Sequence, residues 1–140
     1  MVLKSAVGPV VATAAAFATL LGGCGEDVSY RIVINGPSPV TVPQATIVLS
    51  GRADLPEGSV RSGGTPTVSY VTCQPGPYSM AWTNASNGAS GTPTALWTCS
   101  QDVMTWTSGP VPLAPGNNTI TVTFTDGAGS AQASVVAVRN

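Results

Sequence analysis

Three cysteines, Cys24, Cys73 and Cys99, are the softest nucleophiles in this 140-residue sequence, and no histidine accompanies them. Without an imidazole there is no Ser-His-Asp triad, no Cys-His pair and no histidine-ligated metal. Neither Cys73 nor Cys99 has a lysine or histidine nearby in sequence to lower its thiol pKa, so a cysteine nucleophile is not expected. The carboxylates Asp54, Glu57, Asp102 and Asp126 fall near turns, where hard oxygen ligands suit calcium. They lack the alternating spacing of a calcium loop, however, and Asp126-Gly127 reads equally well as hairpin-turn chemistry. The expectation is no metal, no cofactor and no enzyme activity. Five basic residues stand against six acidic ones, for a formal net charge of −1, with no basic stripe. Nucleic-acid binding is excluded on that ground.

Aromatic side chains are the remaining candidates. Trp97, with Tyr78 and Tyr70, forms the candidate ligand contact, a platform on which a sugar ring or a partner protein would stack. The competing reading for Trp97 is packing, since it shares a strand face with Ala95 and Cys99. Asn84-Ala85-Ser86 and Asn117-Asn118-Thr119 include glycosylation-type patterns that read more simply as turn residues. Residues 86–94 (SNGASGTPT) form a low-complexity loop, expected to be mobile.

The elements that must position these residues are strands. Apolar and polar residues alternate with period two, and no stretch after Cys24 shows a helical period. The clearest strand is residues 118–125, with Ile120, Val122 and Phe124 on one side and Thr119, Thr121, Thr123 and Thr125 on the other. A turn at residues 126–129 leads to a partner strand at 131–138, and residues 114–117 (APGN) make the turn ahead. Residues 44–53 read as another strand with Ala45, Ile47 and Leu49 inward, and residues 30–34 as a short edge strand. Further strands are expected at 68–73, 78–84, 95–100 and 103–106. The sum is an all-β, antiparallel β-sandwich of about seven strands.

The N-terminus has a different character. Lys4 precedes an apolar run at residues 10–21 (VVATAAAFATLL), which Leu21-Gly22-Gly23-Cys24 closes. These four residues resemble the lipobox of bacterial lipoproteins. The resemblance implies a signal peptide at 1–23, a lipid on the Cys24 thiol and a tether at 24–28. Two acyl signals are needed because one chain holds a protein on a bilayer only reversibly. Ordinary signal cleavage and an uncleaved anchor helix are the alternatives; Pro9, Gly22, Gly23 and Gly25 weigh against a spanning helix. If Cys24 is lipidated, the odd cysteine is accounted for, and Cys73 and Cys99 remain as a disulfide pair or as two buried thiols. Gly25, in place of the aspartate that retains lipoproteins at the inner membrane of enteric bacteria, leans toward the outer membrane in an organism that has one.

Residues 29–140 carry a second resemblance. The pieces are 32–37 (IVINGP), 47–54 (IVLSGRAD), 81–84 (AWTN), Gly91, Trp106 and 111–129 (VPLAPGNNTITVTFTDGAG). Together they resemble bacterial immunoglobulin-like domains of extracellular glycoside hydrolases, adhesins and surface proteins. That likeness implies an immunoglobulin-like sandwich with Trp82 and Trp106 in its core. Residues 55–77 depart from the pattern, being longer and richer in glycine and proline. The expected function is a non-catalytic, lipid-anchored module of the cell envelope that binds or positions another envelope protein. A glycan-binding module, with a polysaccharide as partner, is the alternative.

Overall fold

The computed structural model describes residues 31–74 and 76–140. The strands are β1 (Ile32–Ile34), β2 (Val40–Val42), β3 (Thr46–Asp54), β4 (Val60–Thr65), β5 (Val68–Cys73) and β6 (Tyr78–Asn84), followed by β7 (Ser90–Gly91), β8 (Thr94–Thr98), β9 (Val103–Pro112), β10 (Gly116–Asp126) and β11 (Ser130–Arg139). A single 3-10 turn, Cys99–Gln101, separates β8 from β9.

The strands form one sheet in the order β1-β3-β9-β8 and a second in the order β2-β11-β10-β6-β7, with β4 and β5 as a separate ribbon. All pairings are antiparallel except β2 with β11. This is the immunoglobulin arrangement of an ABED sheet against a CFG sheet, given by seven principal strands (β1, β3, β6, β8, β9, β10 and β11). Strands β2 and β7 add short edges of three and two residues.

Alternation built this core. Ile120, Val122 and Phe124 of β10 are fully buried, while the intervening threonines face outward. Met80 and Trp82 of β6 stand beside Phe124 and Val122 in the same sheet, and Met104 and Trp106 of β9 lie across the sandwich from them. Both Trp82 and Trp106 are core residues, 5% and 3% exposed. Trp106 lies against Gly51, where an added Cβ would sit 2.5 Å from the indole and closer still to the Val33 carbonyl. Glycine is therefore what lets β1 and the ring approach β3 together.

Strand β9 runs six residues beyond the expected end at Trp106. Its pairing with β3 shifts between Val48 and Ser50, where Ser108 and Gly109 oppose Leu49 alone. Gly109 adopts φ +67°, the left-handed region that glycine enters without cost. The bulge inverts the inward phase: Met104, Trp106 and Ser108 face the core before it, Val111 after it. Ser108 repairs the ladder, because its Oγ accepts the Leu49 N–H at 2.9 Å. Its carbonyl accepts the Trp82 indole N–H at 3.1 Å, a polar tie between the two sheets.

Two expectations need correction. Ala45 precedes β3 and is exposed, with its carbonyl accepting the Leu113 N–H, so the inward residues of that strand are Ile47, Leu49, Gly51 and Ala53. The divergent stretch 55–77 contains an unanticipated strand, β4, which pairs with β5 from Val60–Cys73 to Thr65–Val68.

Candidate functional site

Cys24, the leader and the tether lie outside the described residues. Several of the candidate residues gather at the pole of the sandwich that Arg31 occupies. The Asp54 N–H donates to the Arg31 carbonyl, and Arg31 forms an ion pair with Asp126. Asp126 stands opposite Tyr78, and Val103 opposite Asp54. Chain entry, the base of the β4–β5 ribbon, the 3-10 turn and the β10–β11 turn thus share one end of the molecule.

Asp126 is used structurally. Its carboxylate accepts from the Ala128 and Gly129 N–H groups at 2.8 and 3.1 Å, closing the hairpin turn. Arg31 lies over the Phe124 ring, 5.9 Å from its centroid, and caps this end of the core. Burial pushes the Asp126 carboxyl upward, but the Arg31 guanidinium and the two N–H groups outweigh it and hold the carboxyl below its ordinary value. A depressed folded-state pKa adds stability above the unfolded value, and that stability disappears as pH falls through the folded one. Denaturant titrations should therefore show the wild-type protein losing stability below about pH 4, with Asp126→Asn flatter over that window. An unchanged acid slope in the variant would exclude this carboxylate as its source.

The other calcium candidates, Asp54, Glu57 and Asp102, line one open groove of about 520 Å³ with Leu55, Pro56 and Val103. Among the described residues no three acidic, cysteine or histidine side chains come together as a metal site.

Cys73 and Cys99 are joined by a disulfide with a Cα separation of 5.6 Å, tying the end of β5 to the 3-10 turn. Trp97 and Tyr78 meet edge to face with centroids 5.2 Å apart, across the gap between the sheets. Both are half-buried and pack on the core, and Tyr78 reaches on to Phe124 at 6.3 Å. These two rings are committed to each other rather than presented as a flat platform. Tyr70 is different: it is 57% exposed on β5.

Residues 86–94, expected to be mobile, are pinned by hydrogen bonds. Asn87 Nδ2 donates to the Pro112 carbonyl, its Oδ1 accepts from Ala89, and the Asn84 N–H donates to the Ala89 carbonyl. The two asparagines read as turn residues, Asn84 and Asn118, are completely buried. Asn84 Nδ2 donates to the Pro112 carbonyl and to Asn118 Oδ1, both at 2.9 Å. Asn118 Oδ1 also accepts from the Ala114 N–H, while its Nδ2 donates to the Ala114 and Gly116 carbonyls.

The sheet edges are unequal, and only their length and chemistry in the structure reveal it. Of the four outer strands, β1, β2 and β7 are two or three residues long, whereas β8 has five. Strand β8 (TALWT) has no charge, and its Leu96 is 68% exposed. Over β8 and its neighbour β9 lies a shallow, mainly apolar groove of about 190 Å³, lined by Thr94, Leu96, Thr105, Trp106 and Thr107. An open, uncharged edge with a side-chain groove is suited to accept an added strand.

The fold and this edge define the class as an immunoglobulin-like sandwich with one unprotected lateral strand. No protein-family model matches the chain, and no curated protein matches it.

Proposed function

We propose that the chain is a non-catalytic module of the bacterial cell envelope, anchored through lipid on Cys24, that holds another envelope protein at the open edge of β8. The observation carrying the second half is that edge: five uncharged residues with unpaired outward backbone groups, an exposed Leu96 and an adjoining apolar groove. The occupant is an extended segment of the partner, whose main chain continues the sheet and whose apolar side chain packs against Leu96. The lipid half rests on Leu21-Gly22-Gly23-Cys24 following an apolar run. Trp97 and Tyr78 are paired with each other, which leaves Tyr70 as the exposed member of the aromatic set and makes the glycan reading the weaker one.

In-cell crosslinking of the full-length protein, followed by mass spectrometry, should capture one dominant envelope protein. Leu96→Lys places a charge at the outward position of the edge and should reduce that capture about tenfold, equivalent to ~1.4 kcal/mol, with no change in melting temperature. Capture unaffected by Leu96→Lys would place the partner elsewhere. Cys24→Ser should release the protein from the membrane or leave its leader uncleaved; normal maturation with full membrane retention would refute the anchor.

A further inference from the structure

We infer that the β4–β5 ribbon is a second membrane contact, in which Val68 and Tyr70 enter the bilayer interface and orient the sandwich upright beside its anchor. This rests on the lipid anchor at Cys24 proposed above. The first supporting observation is placement. The ribbon is inserted between Asp54 and Tyr78, and both residues belong to the pole that Arg31 occupies. Arg31 is seven residues from Cys24. Even fully extended, such a link spans only about 24 Å. An acyl-anchored chain therefore keeps this pole close to the lipid headgroups. Two strands of six residues give the ribbon a length of about 20 Å, comparable with that span.

The second observation is surface chemistry. Strand β5 is exposed on both faces from Val68 to Thr72, so the ribbon is not there to cover the core. Val68 is 62% exposed, Tyr70 57% and Val71 61%, the densest group of large exposed apolar side chains among the described residues. Val68 and Tyr70 share one face by strand alternation. Tyr70 is held in place because its ring lies over the bare backbone of Gly63, its partner across the ribbon, leaving the opposite side free. From Ser62 to Gln74 there is no charged residue, and the first charge toward the base is Arg61. An uncharged tip bearing tyrosine and valine, with arginine set back from it, matches the polarity gradient of a bilayer interface. The acidic groove residues Glu57 and Asp102 lie at the base of the ribbon and not at its tip. Apolar burial drives this contact, and the acyl anchor supplies the local concentration that makes a small contact effective.

The test uses full-length, lipidated protein in phosphatidylcholine vesicles with ordinary or brominated acyl chains. Bromine quenches indole emission on close approach, and the core indoles Trp82 and Trp106 are shielded from it. Tyr70→Trp and, at the exposed turn, Thr67→Trp are the reporters. Emission added by either substitution should be lost in brominated vesicles and kept in ordinary ones, with the core signal unchanged. Vesicle-bound, acylated protein whose added emission is the same in both lipids would overturn the ribbon contact and leave the anchor standing. Absence of acyl mass on Cys24 together with absence of vesicle binding would overturn the anchor and this inference with it. Protection of Tyr70 in intact envelopes but not in pure lipid would assign the tip to a protein and overturn the lipid contact.

Discussion

Asn118→Ala should lower the stability of the sandwich by about 3–5 kcal/mol, measured by denaturant unfolding, out of the 5–15 kcal/mol typical of such domains. The Asn118 side chain makes four hydrogen bonds in a site with no exposure: one to Asn84, two to Ala114 and one to Gly116. Truncation strands one hydrogen of the buried Asn84 amide and removes the partner of the Ala114 N–H and of the Ala114 and Gly116 carbonyls, which are only partly shielded from water. Each such group costs ~1–3 kcal/mol, partly relieved by relaxation. Asn118→Asp is the sharper variant. It keeps an oxygen for Ala114 N–H and Asn84 Nδ2 but turns a second oxygen toward the Ala114 and Gly116 carbonyls. It should therefore be as damaging as alanine near neutral pH, and less so in acid, where a protonated carboxyl donates. A loss under 1 kcal/mol in both variants would mean that the β9–β10 corner does not depend on this network.

Removing the disulfide with Cys73→Ala/Cys99→Ala should cost about 3.5 kcal/mol on the chain-entropy account of its loop, which spans a sequence separation of 26. The structure adds where the loss falls. A two-stranded ribbon is marginal in water, and β4 and β5 form a sheet of their own, anchored at the base by Cys73. Loosening should begin there and spare the two main sheets, whose core lies between β3, β6, β9 and β10. Trypsin reports this directly, because Arg61 is the ribbon's one basic residue. The double variant should be cut after Arg61 under conditions in which the bridged protein is intact. Equal resistance and an unmoved melting temperature would mean the bridge contributes nothing to this region.

Much of the fold was legible because a sheet buried on one face imposes period two on the sequence. Residues 118–125 showed it openly, and Ile120, Val122 and Phe124 went inward as read. The reading failed where a local device interrupts the period. Ser108-Gly109-Pro110 looks like a strand end, yet a bulge carries β9 through it and changes the inward phase. Ala45 failed for a related reason, since it lies before the strand and alternation has no bearing there. Strand β4 (VRSGGT) has neither alternation nor β propensity; its pairing with β5 was visible only in three dimensions.

The candidate site was less legible than the fold. Tyr70, Tyr78 and Trp97 are chemically alike in sequence, but the structure pairs Tyr78 with Trp97 and exposes Tyr70. Asn84 and Asn118 carry the composition of turns, and only their common burial turns them into a polar keystone.

By itself the sequence determined the all-β class, the alternating core strands and the absence of histidine chemistry, because these are properties of residue type and near-neighbour spacing. Tertiary structure decided the Cys73–Cys99 bridge, which strand lies open at the edge, which aromatics are covered and that the ribbon rises from the pole where Arg31 enters. Those are relations between residues far apart in the chain. Packing sets them, and no local period encodes it.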